Sequence, residues 1–161
     1  MAIDVGSRLP EAKFTIMTPS GAAAKTTGEI FGGKTIALFA VPGAFTPTCH
    51  RNHLPGFLEN ADAFLAKGVD QIVCTAVNDI FVLTAWASAT GAQDKILFLS
   101  DGNGLFAKAL GLDMDGSPMN MGVRSRRYAM LVEDGVVKVL NIEEAAGKAE
   151  VSGASALLEA I

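Results

Sequence analysis

The hydrophobic positions follow two rhythms along the chain. Residues 35–41, Thr-Ile-Ala-Leu-Phe-Ala-Val, form an unbroken apolar run, the pattern of a strand buried on both faces of a parallel sheet. Residues 71–77 repeat it, and residues 14–17 and 96–99 are shorter strands of the same kind. Between these runs the spacing turns helical. A helix is predicted from Pro47 to about Lys67, closing at Gly68, with a kink at Pro55, which cannot donate to the carbonyl of Arg51. Asn78 or Asp79 should cap a second helix, whose apolar face holds Ile80, Leu83 and Trp86 and which ends at Gly91. Residues 104–110 form a short helix ending at Gly111, and residues 155–161 a terminal one. Residues 128–133 and 136–141 flank Asp134-Gly135, a strong hairpin signal. Strands and helices alternate with short connections and without a linker, repeat or low-complexity tract. One compact α/β domain over residues 1–161 is therefore expected.

Composition changes this picture little. The length of 161 residues suits one domain with a substantial core. Half the residues are hydrophobic and the mean hydropathy is +0.34, which favours a subunit interface. No apolar stretch reaches the span of a membrane helix. The net charge of −4 leaves no basic stripe to neutralise phosphates, which argues against nucleic-acid binding. Residues 1–8 have neither the apolar core of a secretory signal nor an arginine-rich amphipathic pattern, so a reducing cytoplasmic location is the default. In that setting Cys49 and Cys74 read as free thiols.

The chemistry concentrates just after the 35–41 run. Pro42 and Gly43 end the strand, Thr46 is a good N-cap, and Pro47 suits the first helical position because its missing N–H would have no helical partner. Cys49 then falls in the first turn, where free backbone N–H groups and the helix dipole favour an anion. Thiolate chemistry is expected, against the alternative of a buried, inert cysteine.

The segment Pro42-Gly43-Ala44-Phe45-Thr46-Pro47-Thr48-Cys49 resembles the active-site signature of the peroxiredoxins, with wording close to the type II (peroxiredoxin 5) subfamily. The resemblance continues through residues 53–57, 76–79 and 122–128, so it covers nearly the whole chain. It implies a thioredoxin-like fold, a central mixed β-sheet flanked by helices. It also implies a thiol-dependent peroxidase that needs no metal, haem or flavin. The Cys49 thiolate would attack hydrogen peroxide or an organic hydroperoxide and become a sulfenic acid. By this resemblance the Thr46 hydroxyl would contact thiolate and peroxide, and Pro42 would shield the sulfur from water. Both residues also have plain structural roles, as cap and strand terminator.

An arginine suits such a site because it stays charged and presents fixed donors. Within Arg124-Ser125-Arg126-Arg127, strand alternation sends Arg126 and Arg127 to opposite faces. The resemblance selects Arg127, directly before the Tyr-Ala-Met-Leu-Val strand, with Arg124 as a second source of positive field and Arg126 as a solvated or interface charge. Thr48, Gly43 and Arg124 complete the expected substrate-binding set.

Other chemistries remain to be weighed. Cys49 and His53 lie four residues apart on one helix face and could hold zinc or form a nucleophile–base pair. The metal reading lacks third and fourth ligands, and the hydrolase reading lacks an evident orienting residue. A packing or hydrogen-bonding role for His53, and an exposed His50, are the defaults. A disulfide carrier would need Cys-x-x-Cys, but Asn52 stands at that position. A non-catalytic redox sensor or chaperone-like binding protein would share the thiol without rapid turnover. Cys74 reads as a core residue, and residues 150–155 carry no cysteine where some subfamily members have a resolving one. An external thiol is therefore expected as reductant: glutathione with glutaredoxin first, thioredoxin second. The resemblance also implies a homodimer, with Phe45, Phe81, Trp86 and the 119–121 loop as candidate contacts.

Overall fold

A computed structural model describes residues 1–161. Its centre is a seven-stranded mixed sheet with spatial order β2-β1-β5-β4-β3-β8-β9. The strands are β1 (Lys13–Thr18), β2 (Gly21–Thr26), β3 (Thr35–Ala40), β4 (Gln71–Ala76), β5 (Ile96–Ser100), β8 (Tyr128–Glu133) and β9 (Val136–Ile142). β6 (Asp113–Asp115) and β7 (Val123–Ser125) form a separate two-stranded ribbon. β3 pairs parallel to β4 and antiparallel to β8, so the sheet around the apolar run is mixed rather than wholly parallel. Its burial follows from position: both neighbours and both faces are covered.

Alternation along β3 sorts the core into two layers. Ala37, Phe39 and Val41 face a cluster that includes Cys49, Leu54, Phe57, Leu83 and Trp86. Ile36, Leu38 and Ala40 face the other, with Phe14, Phe31, Phe106 and Tyr128. The helices that cover these layers are α1 (Thr27–Phe31), α2 (Leu54–Glu59), α3 (Ala61–Ala66), α4 (Ile80–Thr90), α5 (Leu105–Leu110) and α6 (Ala154–Ala160). This is the thioredoxin-like arrangement, a central mixed sheet flanked by helices.

α4 begins and ends where its sequence signals lie. The Asp79 carboxylate accepts from Val82 N at 2.9 Å, and Gly91 takes the left-handed conformation that closes the helix. The long helix expected over 47–67 is instead divided. A π turn at Cys49–His53 leads into α2, and a break at Asn60 separates α2 from α3. Pro55 cannot donate to the Arg51 carbonyl, and Leu54 N bonds back five residues to Cys49 O, so the chain takes a wider turn rather than a simple kink. β1 falls on the strand expected at 14–17, whereas β2 and α1 had no clear periodicity, although Thr26-x-x-Glu29 forms a complete capping box.

Candidate active site

β3 ends at Ala40, and the chain turns through Pro42–Gly43 into the helical turn bearing Cys49. That side chain is fully buried against the sheet. The Arg127 Nη2 donates to Cys49 Sγ at 2.9 Å. Arg127 is also buried, at the start of β8, and β8 lies beside β3 in the sheet. Sheet pairing thus brings together two residues 78 positions apart.

Three further hydrogen bonds hold the Arg127 guanidinium. Its Nε and Nη2 both donate to the Ala146 carbonyl at 3.1 Å, and Nη1 donates to His53 Nδ1 at 3.0 Å. The His53 Nε2 donates to the Ser152 carbonyl at 2.8 Å, which sets the neutral tautomer with Nδ1 free to accept. Burial, reinforced by the Arg127 charge, holds the His53 imidazole well below its ordinary range, at about 3. The ring sits against Phe39 and Phe57, with centroid distances of 5.0 and 5.6 Å. Both ring nitrogens are therefore committed, and no lone pair remains for a metal ion. No carboxylate lies within salt-bridge distance of Arg127. The Cys49 sulfur is thus the only side-chain partner of this buried cation besides the neutral His53 ring.

The other expected residues surround this pair in different ways. The Thr46 hydroxyl donates to the Gly43 carbonyl at 2.7 Å, and no side-chain cap bond from Thr46 is present, so the capping role expected for it is not realised. The hydroxyl oxygen keeps its lone pairs for an incoming donor. Arg124 is half-buried, with Nε on the Met121 carbonyl at 2.9 Å and Nη1 toward the Pro42 carbonyl at 3.4 Å. A methyl group at Gly43 would stand 3.1 Å from Arg124 Nη1 and 3.2 Å from Thr46 Cγ2, so glycine lets these groups converge. Thr48 donates to the Gly147 carbonyl at 3.0 Å, tying the Cys49 turn to the segment after β9. Arg126 is not a free surface charge: its Nη2 donates to the Glu143 carbonyl at 3.3 Å.

Other expectations need correction. His50 is half-buried rather than exposed, and its Nδ1 accepts from the Trp86 indole at 3.0 Å. Trp86 is 0% exposed and cannot offer an interface surface, whereas Phe81 is 68% and Met119 60% exposed. Phe45, 49% exposed, has φ of 65° and stacks on His50 at 5.7 Å. The largest omission from the sequence reading is the 143–153 segment, whose carbonyls hold Arg127 and His53. Its composition gave no signal, because backbone carbonyls carry no sequence identity.

Cys74 is fully buried in β4, and burial pushes its thiol well up, with the nearby Cys49 adding to the shift. A buried thiol pushed up in this way is a poor nucleophile.

A buried thiol held by an arginine on a thioredoxin-like sheet defines a thiol-based redox protein. Residues 4–158 match the Redoxin family. The chain is 51% identical over 164 residues to Peroxiredoxin-2E-2, chloroplastic, of Oryza sativa subsp. japonica, covering 99% of this chain and 72% of that protein. It is 49% identical over 147 residues to Peroxiredoxin-2E, chloroplastic, of Arabidopsis thaliana, covering 89% of this chain and 63% of that one. The crystal structure of reduced Prx3 in complex with H2O2 from Vibrio vulnificus superposes with a TM-score of 0.93 at 48% identity, covering 98% of each chain. The chain belongs to the redoxin family and, within it, to the type II peroxiredoxins. It is a thiol peroxidase, oxidised by a peroxide and reduced by a thiol. The cytoplasmic location expected from residues 1–8 is overturned by these relatives, which are chloroplastic, and by the mitochondrial Peroxiredoxin-2F of Arabidopsis thaliana. Targeting segments are cleavable additions that leave no pattern in the folded domain.

Proposed function

We propose that residues 1–161 act as one thioredoxin-like domain that reduces hydrogen peroxide and organic hydroperoxides at Cys49, with an external thiol completing the cycle. The observation that carries this reading is the 2.9 Å contact between Arg127 and the Cys49 sulfur, with no carboxylate beside that arginine. Thr46, with its proton on Gly43, offers lone pairs to a peroxide O–H, while Arg127 and Arg124 supply positive field. Pro42 covers the sulfur, and Gly43 and Thr48 shape the mouth.

In the first step the thiolate attacks the terminal peroxide oxygen. An S–O bond forms, the O–O bond breaks, and the departing oxygen takes a proton to leave as water or alcohol; Cys49 becomes a sulfenic acid. A thiol such as glutathione then condenses with it, releasing water and leaving a mixed disulfide. A second thiol attacks that disulfide and restores Cys49. The buried, poorly ionising Cys74 favours this external route over an internal disulfide. Because Cys49 is wholly buried, the first helical turn must open locally for the bulky thiol to reach it.

The decisive experiment is peroxide consumption by the purified chain with glutathione and glutaredoxin, run beside a thioredoxin system. Turnover with the first and a glutathione adduct on Cys49 by mass spectrometry are expected. Turnover with thioredoxin alone, or a Cys49–Cys74 disulfide after one equivalent of peroxide, would replace the glutathione reading. No turnover with either, alongside rapid Cys49 oxidation, would instead support a redox sensor.

The reading includes a homodimer that buries the exposed Phe45, Phe81 and Met119. Light scattering should give twice the chain mass for the native protein, and Phe81→Asp should shift it toward the monomer. An unchanged mass would remove the α4 face from the interface.

A further inference from the structure

Glu143 is buried where β9 gives way to the 143–153 segment, and its carboxylate makes no salt bridge. One oxygen, Oε1, instead accepts from Glu150 N at 2.5 Å, Ser152 N at 3.0 Å and Ser152 Oγ at 3.1 Å. Its backbone N donates to the Arg127 carbonyl at 3.0 Å, and its own carbonyl accepts from Arg126. Glu143 therefore fastens one end of the segment to the base of the Arg127 strand and gathers the other end around its carboxylate. Between and at these points lie the two carbonyls that the reactive centre uses, Ala146 for Arg127 and Ser152 for His53. A carboxylate accepting several N–H and O–H bonds in a buried setting is a strong local organiser. Without it the only side-chain hydrogen bonds to residues 146–152 would come from Thr48 and from Arg127 and His53, the groups that need to be positioned.

We propose that Glu143 is a positioning residue of the peroxidase centre. By closing residues 143–152 into a fixed loop, it holds the Ala146 and Ser152 carbonyls that orient Arg127 and His53, and so keeps the guanidinium on the Cys49 sulfur. Glu143 touches neither sulfur nor substrate. This inference rests on the peroxidase reading for its rate effect and on geometry alone for its effect on the thiol.

The test compares the full chain with Glu143→Ala and Glu143→Gln in two measurements. One is the rate of hydrogen peroxide reduction by the reduced protein; the other is the pH profile of Cys49 alkylation by iodoacetamide, followed by mass mapping. Glu143→Ala should lose about tenfold or more in the peroxide rate, as misplacement of a supporting group commonly does, and its alkylation profile should move to higher pH. Glu143→Gln keeps a carbonyl oxygen that accepts the same bonds and should recover most of both. A folded Glu143→Ala protein with wild-type rate and profile would overturn the proposal. So would a Glu143→Gln protein as impaired as Glu143→Ala. If Glu143→Ala does not fold, Glu143→Asp keeps the charge but withdraws it from residues 150–152. A partial loss there supports the proposal and an unchanged rate and profile overturns it. Should the wild-type protein reduce no peroxide, the proposed function fails, while the alkylation comparison still decides the role of Glu143.

Discussion

Replacing Arg127 by alanine is expected to lower the rate constant for peroxide reduction by about 10²–10³-fold, the range for removing one preorganised donor from a site where charge develops. Two effects combine in this loss. The sulfur gives up the cation that touches it, and the oxygen that leaves the peroxide gives up a donor. The pH profile of Cys49 alkylation separates them, because only the first moves it. Arg127→Lys should fall in between. A single ammonium has no fixed fork, so it cannot meet the Ala146 carbonyl, His53 Nδ1 and the sulfur together as the guanidinium does. A peroxide rate unchanged in Arg127→Ala would remove Arg127 from the mechanism and leave the helix terminus as the main source of thiolate stabilisation.

The second large effect is on acid stability and centres on His53. Its imidazole takes up a proton near its ordinary value of 6.5 in the unfolded chain, but only near about 3 in the fold. Between those values the unfolded state binds more protons, so stability must fall as pH falls, and the His53 contribution is fully present above about pH 6.5. A shift of this size corresponds to several kcal/mol across the window. Denaturant unfolding measured from pH 7 to pH 4 should show that decline. His53→Gln, whose amide can donate to the Ser152 carbonyl and accept from Arg127, should flatten it while lowering stability at pH 7. An equally steep decline in His53→Gln would assign the acid sensitivity to other groups. The same titration links stability to the reactive centre, since an imidazolium at position 53 could no longer accept from Arg127.

The legibility of the chain varied with the range of the interactions involved. Strands β3, β4, β5, β8 and β9 and helix α4 were readable because an apolar run, a cap and a hairpin signal are local, and each lies within a few residues of what it controls. The helix over 47–67 was readable in place but not in form. The π turn at Cys49–His53 arises because Pro55 breaks the hydrogen-bond ladder while Leu54 and Phe57 must still reach the core. Thr46 matched a capping pattern, yet in the fold its hydroxyl turns to Gly43. Trp86 matched a surface candidate only until packing enclosed it. Arg127 was singled out through resemblance rather than periodicity, because no local pattern announces a contact spanning 78 residues.

By itself the sequence determined that this protein has an α/β fold with a cysteine in the helical turn that follows its central strand, since proline, glycine and apolar run act through adjacent backbone. Only the tertiary structure decided how that thiol is served. Pairing of β3 with β8 delivered Arg127, a neutral His53 and the carbonyls of the 143–153 segment fixed its direction, and Glu143 closed the segment behind them. Those contacts join residues that sequence distance separates, and most of them use backbone atoms common to every residue, so they exist only once the chain has folded.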